Sequence, residues 1–320
     1  MSNPVSGSAP LAIISAVADH NAPLISVIVP TRNRAVLLAR LLDSLAALRY
    51  SNWEVLVVDD GSTDYTPSVA HKAHAQGVPV VYLYQPWSKM GAARNRGLEL
   101  AQGEIVAFTD DDCTVDPGWL DAVSRAWASA PDALGVQGRT VTIKAAMTPF
   151  TRQVEQLEAG QPYRTCNIAY RADVLRDLGG FDSELIRGED VVMGMRVRER
   201  GEIAFAPDAV VVHPPRPKHW ANRDDWRLLI ESELHFRRTY RRYSPARSQA
   251  LSVQRVDHVV SRWVLLPIRR YWRWHFAYLR RNPRDYVRHV PLMVREKLAL
   301  LSVLPFFVRR WRAMSRETPE

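Results

Sequence analysis

The sequence contains little cysteine. Cys113 and Cys166 are the only two cysteines among its 320 residues. One pair cannot build a disulfide framework, and it lacks the repeated spacing of a zinc site. The scarcity therefore favours a reducing, cytoplasmic setting. Residues 1–22 carry no lysine or arginine ahead of a short Ala/Ile run, so we expect a flexible lead-in there rather than a signal peptide.

Glycine-rich phosphate loops are also lacking. Ser26–Pro30 (SVIVP) is a short apolar run that predicts a buried strand, and Thr31-Arg32-Asn33-Arg34 follows it directly. GxGxxG is absent from this position, and GxxxxGK[ST] is absent from the whole sequence. These absences count against a dinucleotide site and against a P-loop. A bound nucleotide would then be held mainly by side-chain carboxylates and a metal.

Excess positive charge is lacking in the first two thirds of the chain. The formal net charge is +9, yet residues 1–218 hold 21 Lys and Arg against 25 Asp and Glu. Residues 219–320 hold 22 against 9. The shift predicts three regions, namely the lead-in over 1–22, a globular body over 23–218 and a basic, aromatic helical region over 219–320.

Apolar runs and amphipathic stretches alternate along the body. The predicted strands are Ser26–Pro30, Glu54–Val58, Val78–Tyr84 and Ile105–Phe108. The predicted helices carry the leucines between Leu37 and Leu45, the segment that begins near Asp64, and Gly91–Ala101. This order predicts an α/β fold with a mostly parallel sheet flanked by helices. Ligands of such sheets bind at the carboxyl ends of the strands.

Three consecutive carboxylates, Asp110, Asp111 and Asp112, follow the fourth predicted strand. Like charges at the end of a buried strand repel one another, so a cation should compensate them. Oxygen ligands suit Mg²⁺ or Mn²⁺, and either ion suits a diphosphate. The alternative, from these residues alone, is a solvated acidic turn.

The second half of the body is predicted to be more mixed. Its predicted strands are Gly135–Ile143, Cys166–Tyr170, Ala204–Ala206 and Ala209–Val212. Glu189 and Asp190 open a helix, where acidic residues are stabilised by the helix dipole and a purely structural role is open to them. His213 ends the last strand. On its own it fits a histidine satisfied at a strand end as readily as a metal ligand.

Five ordered motifs resemble those of the family 2 glycosyltransferases, which have the Rossmann-like GT-A fold. They are SVIVPTRNR, VVDDGSTD, GAARNRG, FTDDD and CNIAYRADVLRDLGGFD…GEDVVMGMRVRERG, and they cover roughly Ile25 to Pro217. The resemblance implies an inverting, metal-dependent transfer of a sugar from a nucleotide-sugar donor, above all a UDP-sugar, to an acceptor hydroxyl. It also implies a lipid-linked or cell-envelope glycan acceptor.

The resemblance further implies a role for each matching residue on the donor side. Asp60 would read the nucleotide base above a floor formed by Pro30, Thr31 and Arg32. Arg94 would contact the nucleotide or its diphosphate. Asp110 or Asp111 would lie by the ribose, with Asp111 favoured.

The remaining roles concern the metal and the acceptor. Asp112 and His213 would ligate Mn²⁺ or Mg²⁺, and Asp190 would be the catalytic base with Glu189 supporting it. A nucleoside diphosphate needs its growing charge stabilised, and a divalent ion does this as a Lewis acid. A single base without a carboxylate nucleophile is the arrangement that inversion requires.

Two other functions compete with this one. A nucleotidyltransferase on a related α/β fold usually has a glycine-rich loop after its first strand, where this chain has PTRNR. A non-catalytic nucleotide-sugar-binding homologue should have lost the metal or base residues, but Asp112, Asp190 and His213 are retained.

The basic region predicts contact with an anionic membrane surface. Asp225–Arg242 is an amphipathic helix, and Leu298–Val308, the longest largely apolar stretch, spans 11 residues and contains Pro305. A membrane span needs roughly 20 residues. Arginines beside tryptophan and phenylalanine suit the interface instead, and predict a peripheral location on the inner face of the cell membrane. The alternatives are packing on the body or on a second subunit, as a homo-oligomer; no nucleic-acid-binding motif is present.

Overall fold

A computed structural model describes residues 22–152, 154–160, 162–217, 223–243 and 276–317. The strands are β1 (Ile25–Thr31), β2 (Trp53–Asp60), β3 (Val80–Gln85), β4 (Ile105–Phe108), β5 (Thr114–Val115), β6 (Gly135–Thr142), β7 (Thr151–Arg152), β8 (Ile168–Arg171), β9 (Ile203–His213) and β10 (Arg216–Pro217). Eight of them form one sheet in the order β3-β2-β1-β4-β8-β6-β9-β5, and β7 pairs with β10 separately.

Helices cover both faces of this sheet. They are α1 (Ala35–Ala46), α2 (Thr66–Ala75), α3 (Met90–Leu100), α4 (Trp119–Ser129), α5 (Ala172–Asp177), α6 (Glu189–Arg200), α7 (Arg223–Thr239) and α8 (Pro283–Glu317). Short 3₁₀ turns lie at Lys144–Ala146 and Arg241–Tyr243, and a helical segment over 276–281 precedes α8.

The predicted alternation is confirmed for the first four strands, which pair in parallel. Beyond β4 the sheet becomes mixed, because β8 runs antiparallel to both β4 and β6. An antiparallel neighbour needs no crossover helix, and the described residues between β6 and β8 form only a 3₁₀ turn and the short β7 as regular elements. The fold is therefore a mixed α/β sheet whose first half is the parallel sheet that the sequence predicts.

Two apolar layers enclose the sheet. Side chains of β1 alternate between them, with Val27 and Val29 in one layer and Ile28 in the other. Leucines of α1 fill the first layer, and apolar residues of α3, α5 and α6 fill the second. Alternation along a strand with both faces covered is typical of the centre of an α/β sheet.

The last strand of the sheet differs from its prediction. Two strands, Ala204–Ala206 and Ala209–Val212, are expected from the sequence, but β9 is continuous over both. Its pairing with β6 shifts register between Gly138 and Arg139, so a bulge absorbs the residues between the two predicted strands. A bulge bends a strand without ending it. The prediction of a break was therefore wrong, and β9 carries His213 directly to the carboxyl edge of the sheet.

The basic region contributes two long helices. α7 packs on the body, because Phe236 joins the second apolar layer and the Ser232 hydroxyl accepts a hydrogen bond of 2.9 Å from the Ile186 amide. α8 packs beside α7, and its His289 ring stacks on Phe150 with ring centres 4.0 Å apart. The boundary at residue 218 stays a prediction, and much of the tail, including residues 244–275, lies outside the described residues.

α8 contains Pro291 and Pro305 within its length. In the part of the chain that the structure describes, no helix is long and apolar enough to cross a membrane.

Candidate functional site

The carboxyl ends of β1, β2 and β4 meet at one edge of the sheet. The register pairs Thr31 with Asp59, and β4 on the other side of β1 delivers the three aspartates that follow Phe108. Parallel pairing thus collects polar residues from three separate turns into one region. Most of the residues predicted as donor contacts lie there, although their roles stay predictions.

The first acidic cluster, Asp59 and Asp60, is satisfied by neutral donors. Asp59 accepts hydrogen bonds of 2.7 Å from the Ser62 amide and from the Tyr82 hydroxyl. Asp60 Oδ1 accepts from the Gln85 side chain and the Ser88 amide, each at 2.8 Å. Asp59 therefore holds the turn, whereas all the hydrogen bonds that the Asp60 carboxylate accepts from the described residues use Oδ1.

A neighbouring aspartate connects the first two turns. Asp64 accepts hydrogen bonds of 3.0 Å from the first amide of α1, at Ala35, and from the Thr66 amide that begins α2. Asp64 thus accepts from the first amide of each helix. Burial alone would raise the pKa of Asp64, but hydrogen bonds from the Thr66 hydroxyl and from the Ala35 and Thr66 amides lower it below its usual value.

Asp111 turns away from its two neighbours toward β1. It accepts hydrogen bonds of 2.9 Å from the Thr31 hydroxyl and from the Arg34 guanidinium. Burial, together with the charge of Asp112, raises the pKa of Asp111 to about 6, although Arg34 and Thr31 oppose this. Arg34 Nη1 also donates to Asp112 Oδ2 at 3.4 Å, so it links Asp111 to its neighbour. The contact of Asp111 with a ribose stays a prediction.

Asp110 and Asp112 face the end of β9 instead. The Arg216 guanidinium bonds both oxygens of Asp112, at 2.5 and 2.7 Å, and Asp110 at 2.9 Å. Burial alone would raise the pKa of Asp110, but Arg216 and Arg94 more than offset it and hold that pKa below its usual value. Burial would likewise lower the pKa of Arg216, but Asp110 and Asp112 raise it instead.

His213 lies behind this ion cluster. Its side chain is 0% exposed, and Nε2 lies 3.8 Å from Asp110 Oδ2 and 3.7 Å from Asp112 Oδ1. Nδ1 is 2.8 Å from the Pro214 carbonyl, whereas the buried Nε2 makes no hydrogen bond. When Nδ1 donates to that carbonyl, Nε2 presents a lone pair to the two carboxylates, as a metal-ligating histidine does.

These donors fit a divalent ion. Ligand atoms of Asp110, Asp112, Cys113 and His213 all lie within 4.8 Å of one another. Burial first, and the nearby carboxylates second, raise the pKa of the Cys113 thiol well above its usual value, and a soft thiol is a poor ligand for Mn²⁺ or Mg²⁺. Two carboxylates and one imidazole remain, a hard set that suits Mn²⁺ or Mg²⁺.

A buried arginine connects this cluster to α6. Arg94 is 3% exposed, and its guanidinium lies 2.5 Å from Glu189 and 3.8 Å from Asp110. Burial raises the pKa of Glu189 to about 7 against the opposing charge of Arg94. Arg94 is therefore buried beneath the carboxyl edge of the sheet and is not exposed to open solvent. Its predicted contact with a nucleotide remains untested, and the geometry favours holding Glu189.

Asp190 lies next to Glu189 at the start of α6. Gly188, with φ of +81°, sets the turn that begins this helix. Asp190 is half-buried and accepts a hydrogen bond of 2.8 Å from the Val191 amide. Its charge is near enough to add to the burial that raises the pKa of Tyr170. The carboxylate is thus held at the end of the chain of contacts that runs from Asp110 through Arg94.

The floor residues behave differently from one another. Pro30 and Thr31 are buried in β1, whereas Arg32 is exposed. The Arg32 guanidinium lies 5.3 Å from the ring centre of Trp87, which is itself exposed. Trp119 is buried and donates to the Asn167 side chain, so it packs in the core.

Sequence reasoning missed two arginines of the site. Arg216 binds Asp110 and Asp112, and Arg34 binds Asp111. Both stand in segments that the sequence singles out, the PTRNR turn and the HPPRP exit. The charge of the acidic triad could have pointed to them, because three buried carboxylates need cations that the sequence must supply from somewhere.

Comparisons with known proteins agree on one family. The family model described as Glycosyl transferase family 2 matches residues 26–177. The chain is 32% identical over 207 residues to glycosyltransferase AglE of Haloferax volcanii, covering 61% of this chain and 68% of that protein. It is 34% identical over 209 residues to a pre-mycofactocin glycosyltransferase of Mycobacterium tuberculosis, covering 60% of this chain and 43% of that one.

Solved structures share the fold. Residues 1–349 of S. aureus TarS, in complex with UDP, match with a TM-score of 0.56 at 20% identity, over 91% of each chain. The mannosyltransferase PcManGT from Pyrobaculum calidifontis, in complex with GDP-Man and Mn²⁺, matches with a TM-score of 0.52 at 23% identity, over 92% of this chain and 84% of that one. The predicted GT-A fold is confirmed.

Proposed function

Since this chain belongs to the family 2 glycosyltransferases, we propose that it transfers a sugar from a nucleotide-sugar donor to an acceptor hydroxyl with inversion. The observation that carries the proposal is that three groups of residues lie together at the carboxyl edge of the sheet. Asp60 ends β2, Asp110 and Asp112 face His213, and Arg94 connects Asp110 to the residues that open α6. These parts match a base reader, a metal centre and a catalytic base.

The metal proposal rests on the chemistry of the donors. Asp112 and His213 would hold Mn²⁺ or Mg²⁺, and Asp110 lies close enough to join them. A bound divalent ion would neutralise the charge that grows on the leaving diphosphate. PcManGT was solved with Mn²⁺, which supports this assignment by analogy.

Donor recognition would occur at the ends of β1 and β2. Asp60 keeps Oδ1 on protein donors, so Oδ2 is the oxygen that we assign to the base. Pro30, Thr31 and Arg32 would form the floor, and Asp111 would meet the ribose. TarS was solved with UDP and PcManGT with GDP-Man. We favour a UDP-sugar for this chain.

Asp190 is the proposed base. It is half-buried at the start of α6, and Glu189 beside it is anchored by Arg94. A carboxylate within reach of the acceptor hydroxyl can remove its proton as the oxygen attacks. Attack from the face opposite the leaving diphosphate inverts the anomeric carbon, and this single displacement needs no carboxylate nucleophile.

The test compares Asp190→Asn with the wild type. A panel of UDP-, GDP- and dTDP-sugars is screened for Mn²⁺-dependent hydrolysis, and the variant is measured with the best donor. Removing a general base costs roughly 10²–10⁴-fold in rate, so we expect a loss of at least 100-fold. Calorimetric binding of the matching nucleoside diphosphate should stay unchanged.

A matched control is Asp177→Asn, which neutralises an exposed aspartate at the end of α5. It should leave both rate and binding unaltered. Hydrolysis by Asp190→Asn at near the wild-type rate would show that another residue is the base.

We further propose that the acceptor is membrane-associated and that α8 docks the protein on an anionic surface. The apolar residues of its outward face are all exposed: Val287, Val290, Val294, Leu298, Leu301 and Val308. At 100° per residue they form one stripe along the helix. Exposed Arg284, Arg288, Arg295 and Arg309 flank that stripe on one side.

The positive charges beside the apolar stripe of α8 favour an anionic lipid surface as its binding partner. Asp285 and Glu296 lie on the opposite, half-buried side of α8, so the outward face presents only positive charge near its apolar stripe. Each arginine near anionic lipid contributes about 1 kcal/mol. Insertion of the stripe at the headgroup level would add apolar burial.

Liposome co-sedimentation tests this proposal on the full chain. Vesicles containing phosphatidylglycerol should pellet the protein and pure phosphatidylcholine vesicles should not. The triple variant Val290→Ser, Val294→Ser and Leu301→Ser should lose most binding, whereas Val81→Ser with Leu100→Ser, exposed on the body, should retain it. Unchanged binding by the triple variant would overturn the assignment, and conversion from dimer to monomer would assign the face to a second copy.

A further inference from the structure

Arg216 holds the same atoms that a metal would need. Its guanidinium takes both oxygens of Asp112 and Oδ2 of Asp110. Asp110 Oδ2 and Asp112 Oδ1 are also the oxygens that lie nearest His213 Nε2, at 3.8 and 3.7 Å. One set of carboxylate atoms is thus shared between an arginine of the chain and the proposed metal centre.

The two cations cannot use these oxygens together. A guanidinium in a two-pronged contact occupies one lone pair on each oxygen of the carboxylate, and a divalent ion ligated by the same oxygens would lie against that positive charge. At close range in a partly buried site such repulsion is strong. Binding of the ion therefore requires Arg216 to leave Asp112.

The segment that carries Arg216 is held to the body through a short strand pairing. Residues 214–217, which we call the strap, follow β9 and end in the two-residue pairing of β10 with β7. The Arg216 side chain is 32% exposed, whereas the side chains of Asp112 and His213 are 5% and 0% exposed. The carboxylates and the histidine are fixed in the body, and the arginine reaches them from the solvent side.

We propose that Arg216 closes the metal centre of the free enzyme and moves to the donor diphosphate when metal and donor bind. This rests on the proposed function and adds a positioning role for one residue. A planar guanidinium binds phosphate with the same two-pronged geometry that it uses for a carboxylate. The exchange therefore replaces one charge-assisted contact with another and leaves no arginine unpaired.

The exchange couples the two ligands. In the free protein Arg216 competes with the metal, so the metal alone binds weakly. A diphosphate supplies Arg216 with a new partner, so the metal binds more tightly in its presence, and reciprocity requires the same gain for the diphosphate. A purely structural Arg216 predicts the opposite, because its removal would leave Asp110 and Asp112 with only the longer contacts to Arg94 and Arg34, at 3.8 and 3.4 Å, in a less stable site.

The experiment is calorimetric titration of Mn²⁺ into the full chain, alone and with saturating UDP or GDP. Arg216→Gln should bind Mn²⁺ alone at least tenfold more tightly than the wild type, and its Mn²⁺-dependent affinity for the nucleotide should be at least tenfold weaker. Arg216→Lys, which keeps the charge without the fork, should fall between them. Arg96→Gln, an exposed arginine of α3 paired with Glu99, is the control and should match the wild type.

Thermal melting confirms that each variant is folded, and Asp112→Asn on the Arg216→Gln background should remove Mn²⁺ binding. Equal or weaker Mn²⁺ binding by both Arg216 variants, with binding still lost on Asp112→Asn, would overturn the proposal while leaving the metal assignment intact. Failure of wild type and variants alike to bind Mn²⁺, with or without nucleotide, would overturn both.

Discussion

Two acidic clusters lie at the same edge of the sheet, one strand apart, and they are compensated in opposite ways. Asp59 and Asp60 at the end of β2 accept hydrogen bonds from amides, hydroxyls and an amide side chain. The triad after β4 is held by arginines, with Arg34 on Asp111 and, at 3.4 Å, on Asp112, and with Arg216 on Asp110 and Asp112. Neutral hydrogen-bond donors stabilise the carboxylates of the first cluster, and positively charged arginines stabilise those of the second.

The difference matches two kinds of ligand. In the first cluster the described residues use only Oδ1 of Asp60, so Oδ2 can accept a hydrogen bond from the N–H of a nucleotide base. Carboxylates held by cations can exchange those cations for a metal, because the exchange leaves the charge compensated. We therefore assign recognition of the base to the first cluster and binding of the metal and diphosphate to the second.

Of the substitutions that test this difference between the clusters, Asp60→Asn should have the largest effect on nucleotide binding. The substitution replaces a charged acceptor with a neutral amide, and a hydrogen bond to a charged group contributes about 1.5–3 kcal/mol. We expect affinity for the nucleoside diphosphate to fall roughly 10–100-fold, with Mn²⁺ binding in the absence of nucleotide unchanged. Calorimetry measures both quantities.

Asp59→Asn is the matched substitution one residue earlier. Asp59 is fully buried and both of its oxygens accept hydrogen bonds within the protein. Its amide would place N–H groups against a donor, so this variant should lose about 1–3 kcal/mol of stability while its folded fraction binds nucleotide normally. Equal loss of nucleotide affinity in both variants would remove the distinction between the two residues.

The position of the first acidic cluster could be predicted from the sequence. The partners of the second cluster could be predicted only in part. Buried apolar runs such as Val55–Val58 predict parallel strands, and DDGS at the end of β2 then predicts where Asp60 must lie. The partners of the triad come from far along the chain. Arg216 lies 104 residues after Asp112, and Glu189 lies 95 after Arg94. Such pairs depend on the mixed half of the sheet, and antiparallel β8 and the bulge in β9 have no periodic signal of their own.

Asp111→Asn tests how completely the arginines compensate the second cluster, and its expected effect is smaller. In the free protein burial raises the pKa of Asp111 to about 6, from an ordinary value of 3.8. The native state then holds a proton that the unfolded chain releases, so wild-type stability from this group is full below pH ~4 and falls as pH rises toward ~6. An asparagine has no such dependence. The stability of the variant relative to the wild type should therefore rise by about 1–3 kcal/mol between pH 4 and 7.

Urea unfolding across this pH range, without metal, measures the difference, with Asp177→Asn as the exposed control. The half-exposed Arg34 is the single arginine bonded to Asp111 among the described residues, and this is why compensation there is incomplete. If the stability difference does not grow with pH, Arg34 compensates Asp111 fully. The triad would then be one uniformly neutralised cluster, rather than a pair facing Arg216 and a third carboxylate that is left to a ligand.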